Sequence, residues 1–215
     1  MARAKPKNLS AGVIIHTTKC GPVEVVKYIS WREVVVIFIN TGFVGSYHAN
    51  KVLDGMIKDP FSPVVYAVGF FGVGPHKSRT KCYYVWKGMF WRCYSETFQK
   101  RQPTYIGCSV SSEWHNYQVF AEWFYANYTK GLHLDKDIKV RGNRVYSPDL
   151  CLFVTQKENN LEHAKDYKFT NPVGDVVFIH NLKKYCNENG LDAPAMYKVA
   201  NGKLNAHKKW KRYSC

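Results

Sequence analysis

The sequence predicts an α+β protein built from three modules. Three observations carry that expectation. Residues 10–74 hold short β-branched and aromatic runs between Gly and Pro punctuation. Residues 84–128 carry two aromatic stripes at helical spacing. Residues 131–164 then alternate strand, loop, strand and helix, and residues 166–215 read as a hairpin with two short helices. The expected boundaries are 1–78, 79–164 and 165–215.

In the first module, Val23, Val25 and Tyr28 flank Lys27, and a β-branched run follows from Val34 to Ile39. Asn40-Thr41-Gly42 supplies a turn, and Val64 to Phe71 reads as another strand. Gly21-Pro22, Asp59-Pro60, Pro63, Gly72 and Gly74 separate the runs. Several short strands in so little chain predict a small barrel-like or curled sheet.

In the second module, Trp86, Met89, Phe90, Cys93 and Tyr94 recur at i, i+3, i+4, i+7 and i+8. Trp114, Tyr117, Ala121, Phe124 and Tyr128 form a second stripe. Core packing is the expected role of both, with base stacking the alternative. Lys100 to Gly107, with Pro103, reads as a loop. Leu132 to Asp137 reads as a short strand, Lys139 to Pro148 as a loop turning at Gly142-Asn143, and Cys151 to Val154 as a second strand. Thr155-Gln-Lys-Glu158 is a capping box opening a helix to about Ala164. Together these make a compact ββα unit.

In the third module, Phe169 to Phe178 predicts a hairpin around Val173-Gly174. Leu182 to Glu188 predicts a helix ended by Asn189-Gly190, and Ala193 to Val199 a second, stopped by Asn201-Gly202. Two short helices about a Gly turn have the shape of a helix-turn-helix.

Charge narrows the partners. The chain has 215 residues, 31 Lys and Arg against 16 Asp and Glu, and a formal net charge of +15. The three segments 1–78, 79–163 and 164–215 carry +5, +4 and +6, so one extended basic surface is expected rather than a charged tail. A polyanion suits such a surface: nucleic acid first, an anionic membrane second. The hydrophobic fraction of 46% excludes a disordered basic chain. The longest apolar run, Val34 to Ile39, is of strand length, so no membrane partner is expected. The basic N-terminus lacks a following apolar region, and Cys215 is not a prenylation box, so a cytoplasmic protein is expected. Cysteines 20, 82, 93, 108, 151, 186 and 215 include no Cys-x-x-Cys. They are expected to be reduced, buried thiols with no zinc, the alternative being Cys93, Cys108 and Cys151 with a histidine.

Residues 86–160 resemble the HNH-like (His-Me finger) proteins common in tailed phages. Met89, Arg92, Cys93 and Tyr94 match the pattern's first helix, and Glu113, Trp114, Tyr117, Phe120 and Trp123 its second. Leu134, Asp135, Lys136, Asp137, Gly142, Asn143, Tyr146, Ser147 and Pro148 follow in order, and Cys151, Phe153, Val154 and Asn159 close it. Residues 168–210 resemble the intron-encoded nuclease repeat, a helix-turn-helix DNA binder. The matching residues are Asn171-Pro172, Gly174, Asn181-Leu182, Cys186, Glu188 to Leu191, Gly202-Lys203, His207 and Trp210. The resemblance implies a homing-endonuclease-like DNA endonuclease, dependent on Mg²⁺, that binds double-stranded DNA in a host cytoplasm. The N-terminal 75 residues resemble an extension of some phage relatives, and residues 1–78 are a candidate surface for a host protein.

Such a nuclease activates water with a histidine and holds one Mg²⁺ near the scissile phosphate. The resemblance gives the metal carboxylate to Asp135, and Asp137, two residues on, shares its strand face. It gives the closing-helix ligand to Asn159, which has solvent exposure as its ordinary alternative. The family's Asp-His is Asp-Lys here. Lys136 is then expected as a phosphate contact, with a chemical role as the alternative, because an ordinary lysine is a poor base at pH 7. His133 and His115 are the histidines near enough in sequence to supply a base, or ordinary packing residues. Asn143 orients the base or simply makes the turn. Lys139, Arg141 and Arg144 are expected DNA contacts in the loop. Tyr197, Lys198, Asn201, Lys203, Lys208, Lys209, Lys211 and Arg212 are those of the C-terminal module. Two rival classes are a degenerate DNA-binding protein on the same scaffold and an interaction protein that targets a host factor.

Overall fold

The computed structural model of the chain describes residues 6–162 and 165–213, with the side chains at 161 and 162 outside the described set. The expected helix end at Ala164 therefore lies outside the described residues. The fold is mixed α+β, and the chain divides into two compact units, residues 1–130 with 134–153, and 131–133 with 154–215.

The first unit opens with an antiparallel meander. Strands β1 (Ile14–His16), β2 (Pro22–Ser30), β3 (Glu33–Phe38) and β4 (Val44–Tyr47) lie in the order β1-β2-β3-β4. Strict alternation along β3 turns Val34, Val36 and Phe38 inward, opposite Val23 and Val25 of β2. This sheet is open, which corrects the barrel-like expectation. Its outer strands span three and four residues, too short to close a barrel. Its inner face is covered instead by Leu9 and by Ala49 and Val52 of helix α1 (Ala49–Leu53), with Ile57.

Val64 to Phe71 is not a strand, a second correction. Tyr66 and Ala67 take φ of 53° and 57°, making a tight left-handed turn between Val65 and Gly69. The turn lies over two aromatic rings: a Cβ on Gly69 would stand 2.9 Å from Phe90 and 3.0 Å from Trp86.

Helix α2 (Lys81–Tyr94) starts at Thr80, whose side chain caps the Tyr83 N–H. It buries Trp86, Met89, Phe90 and Cys93. Helix α3 (Glu96–Arg101) occupies the start of the expected loop, which continues to a short parallel strand, β5 (Ser109–Val110). Helix α4 (Tyr117–Asn127) buries Tyr117, Phe120, Ala121 and Phe124, with Trp114 on the turn before it. Both aromatic stripes are core. Trp86 donates its indole N–H to the Trp114 carbonyl at 2.7 Å, so even the polar edge of this cluster is satisfied. An edge-on contact from Phe43 to Phe61 and a tilted one from Phe61 to Phe70 join the aromatic core to the sheet's core.

The second unit has its own core of Phe169, Ile179, Leu182, Cys186, Met196 and Val199. Four strands, β9 (Asp166–Thr170), β10 (Val176–His180), β11 (Ala206–His207) and β12 (Trp210–Arg212), order as β10-β9-β12-β11. Helices α6 (Leu182–Glu188) and α7 (Ala193–Ala200) pack on this sheet. The expected hairpin and helix pair are there, and the strands after α7 add two rungs that the sequence did not suggest.

Candidate functional site

Strand β6 (His133–Asp135) pairs with β8 (Leu152–Val154). Between them runs the loop 136–151, pinned by β7 (Val145–Tyr146), which pairs in parallel with β5. Helix α5 (Gln156–Glu162) follows β8. Its capping box forms as the sequence demands. Glu158 accepts from the Thr155 N–H and hydroxyl, both at 2.8 Å, and the Thr155 hydroxyl accepts from the Glu158 N–H at 3.2 Å. Those bonds hold the Glu158 carboxyl below its ordinary range.

Asp135 is 7% exposed. Its Oδ1 accepts the backbone N–H groups of Asp137 at 2.6 Å and Ile138 at 2.8 Å, which fixes the carboxylate and turns the chain. Lys136 is also buried, at 7% exposure. Its ammonium donates to Asp137 Oδ1 at 2.5 Å and to the Asn143 carbonyl at 2.7 Å. The side chain faces the interior of its own loop. Asn143 closes that loop: its amide donates to the carbonyls of Lys136 and Val145, and its oxygen accepts the Val145 N–H. Of the remaining loop candidates, Lys139 donates to the Asp149 carbonyl and Arg144 to the Ile106 carbonyl, while Arg141 is exposed.

Behind the loop lies a polar seam within the core. Arg92 donates to the Tyr146 hydroxyl at 2.9 Å, and burial pushes that hydroxyl's pKa up strongly. Cys93, Cys108 and Cys151 are buried in the same cluster, and burial pushes the thiols of Cys93 and Cys151 up to about 12.

The two histidines differ in setting. His115 engages the Val110 carbonyl at 3.0 Å, and His133 is exposed. Asn159, in the second unit, is half-buried, and its side-chain oxygen is buried without a hydrogen-bond partner.

These groups divide when tested against a hard divalent cation, which takes oxygen ligands. Asp135 offers a carboxylate held in one orientation. Asn159 offers an acceptor whose lone pairs are unmatched. Asp137 is committed to the Lys136 ammonium and fits poorly. Among the described residues, no group of three His, Cys, Asp or Glu side chains is arranged to hold a metal.

The C-terminal candidates lie around α7. Tyr197 is half-buried, edge-on to Tyr167, while Lys198, Asn201 and Lys203 are exposed on or after the helix. Lys208 and Lys209 form the left-handed turn between β11 and β12, with Lys208 donating to the Gly190 carbonyl at 2.7 Å. Lys211 and Arg212 stand in register with Thr170 and Phe169 on β12. Sequence reasoning missed Lys157, Lys165, Lys183 and Lys184, which converge on one cleft of this unit. The Lys183-Lys184 pair is visible in the sequence, but no periodicity links it to Lys157.

No family model and no curated protein matches the chain. One solved structure to which it is similar, of the HNH homing endonuclease I-HmuI with its DNA binding and cleavage, shares 23% identity at a TM-score of 0.23. That match covers 45% of this chain and 66% of the other, just under two thirds of its length.

Proposed function

We propose that this protein binds double-stranded DNA and nicks or cleaves it with Mg²⁺, as an HNH-like endonuclease of the phage homing type. The observation that carries the reading is the β6–β8 pair followed by a capped helix, with Asp135 buried and held rigid at the end of β6. The net charge of +15 supports a polyanion substrate.

Asp135 is the residue proposed to hold the cation, and the unmatched oxygen of Asn159 supports its proposed ligand role. A divalent cation there would offset charge on the phosphate and the departing oxygen. Lys136 and Asn143 are positioning residues on this reading: they fold the loop and keep Asp137 neutralised. His133, exposed at the start of β6, is the proposed proton acceptor. Lys139, Arg141 and Arg144 of the loop and Lys198, Lys203, Lys208, Lys209, Lys211 and Arg212 of the C-terminal module are the residues proposed to hold the DNA backbone.

A second reading is favoured by Lys136. It stands where the resemblance expects the base, and its ammonium is spent inside the protein. That arrangement suits a DNA-binding protein that keeps the scaffold without the chemistry.

A supercoiled-plasmid assay with and without Mg²⁺ separates the two. The endonuclease reading expects slow, Mg²⁺-dependent nicking, because a displaced general base costs about 10²–10⁴-fold. Asp135→Ala should abolish nicking while duplex binding stays intact. Duplex binding with no nicking by the parent protein would establish the second reading instead.

A further inference from the structure

Within the second unit, α5, β9, α6 and α7 line a cleft of about 1090 Å³. Four lysines meet there: Lys157 from α5, Lys165 beside β9, and Lys183 and Lys184 from α6. All four are exposed. Among the described residues, Lys157, Lys165 and Lys183 have no acidic partner, and Lys184 faces Glu188 at 3.9 Å. Two half-buried tyrosines, Tyr167 and Tyr197, also line it, with ring centroids 5.7 Å apart and planes at 75°.

Like charges gathered around a concavity repel one another unless an anion lies between them. The volume lies at the upper end of small-ligand pockets, which run to about 1,000 Å³, so the anion is longer than one phosphate group. A duplex is a wide, stiff rod and does not fit within a cleft of this volume. A single strand can enter one, and its bases can lie against aromatic rings. Among the described residues, Leu182 is the one aliphatic side chain in the lining, which leaves an acidic peptide few apolar anchors.

We propose that this cleft binds a single-stranded stretch of nucleic acid, a phosphodiester strand of a few unstacked nucleotides. The proposal rests on the DNA-binding reading above and deepens it: the duplex is held elsewhere on the basic surface, and an opened strand is drawn in here. The strand is DNA or RNA, since both offer the same phosphates and bases.

The test uses the full chain and fluorescent oligothymidylate about 12 nucleotides long, with oligouridylate and a duplex of equal length alongside. Lys157→Ala combined with Lys183→Ala removes two exposed charges from the cleft. Lys51→Ala with Lys58→Ala removes two exposed charges from the first unit as the control. The expected result is a loss of single-strand affinity of about tenfold or more in the cleft variant, with duplex affinity changed less than about twofold. The control variant should lose neither. Tighter binding of thymidylate or of uridylate assigns the strand's source, and either supports the cleft if the lysine pair is required. Single-strand affinity that survives in the cleft variant, or falls equally in the control, overturns the proposal. Displacement of the strand by polyglutamate of matched charge overturns it in favour of an acidic polypeptide. Duplex binding without single-strand binding sinks the cleft alone, whereas binding of neither sinks the DNA-binding reading as well.

Discussion

The Lys136 ammonium lies 2.5 Å from the Asp137 carboxylate, and its burial changes what a substitution there does. Its ammonium holds Asp137 and the Asn143 carbonyl together. Lys136→Met keeps the length and removes both bonds, leaving a carboxylate and a carbonyl short of a donor. Asp137 keeps 28% of its side-chain exposure, so water softens the loss, and the expected destabilisation is about 2–3 kcal/mol. Urea unfolding followed by tryptophan fluorescence measures it. The buried thiols set a second expectation. Burial raises Cys82, Cys93 and Cys151 from an ordinary 9.0 to about 12. Below pH 9 both folded and unfolded chains keep these protons, and the stability they carry is fully present. As pH rises through 9 toward 12 the unfolded chain ionises first, so stability falls. Denaturation midpoints should drop between pH 8 and pH 10.5. A thiol-reagent titration of the native protein at pH 8 should find no more than one reactive group per chain, because the six described cysteines are all buried.

At the scale of elements, what was legible in the sequence depended on whether local chemistry decided the conformation. The capping box at Thr155 and Glu158 is a self-contained device, and it forms as written. Thr155→Ala should loosen the first turn of α5, seen as faster amide exchange over residues 156–160. Lowering the pH should do the same: bonding in the folded state depresses the Glu158 carboxyl, so its contribution is present above the ordinary value of 4.5 and lost as pH falls. Unchanged exchange in both cases would show that tertiary contacts alone hold the helix. Helices α2 and α4 were legible for a related reason, since an aromatic stripe at helical spacing has one way to be buried. The turn at Tyr66-Ala67 was not legible. Val64, Val65, Tyr66 and Val68 have β propensity, and the close approach of Gly69 to the rings of Trp86 and Phe90 is a tertiary contact that the local sequence does not display. The strands β11 and β12 escaped because β12 pairs with β9, some forty residues away, and β11 joins β12 through the Lys208-Lys209 turn. In the candidate site, Asp135 and Asn159 were visible as residue types in a pattern. The inward turn of Lys136 was not, because it depends on where the Asn143 carbonyl returns.

On the scale of the whole molecule, the described residues hold three hydrophobic clusters. Two lie in the first unit and are joined by the Phe43–Phe61–Phe70 contacts. The third, around Phe169, stands in the second unit with six fully buried apolar side chains. So small a core is sensitive to any cavity. Phe169→Ala should cost about 3–5 kcal/mol there. Trp210 is the one tryptophan of residues 154–215, and it lies edge-on to Phe169 at 6.3 Å. The variant should therefore shift a low-temperature transition reported by Trp210 and leave the main transition of the first unit in place. A single cooperative transition that moves as a whole would show that the two units unfold together.

The internal ammonium of Lys136 has one more consequence. Loops rich in carboxylates often collapse when their cation is stripped away, which entangles chemistry with folding. Here the chain carries its own counter-ion, tethered by peptide bonds and beyond the reach of EDTA. On the proposed reading, a chelator should therefore silence nicking and leave the loop from Lys136 to Val145 folded, which amide exchange with and without EDTA measures.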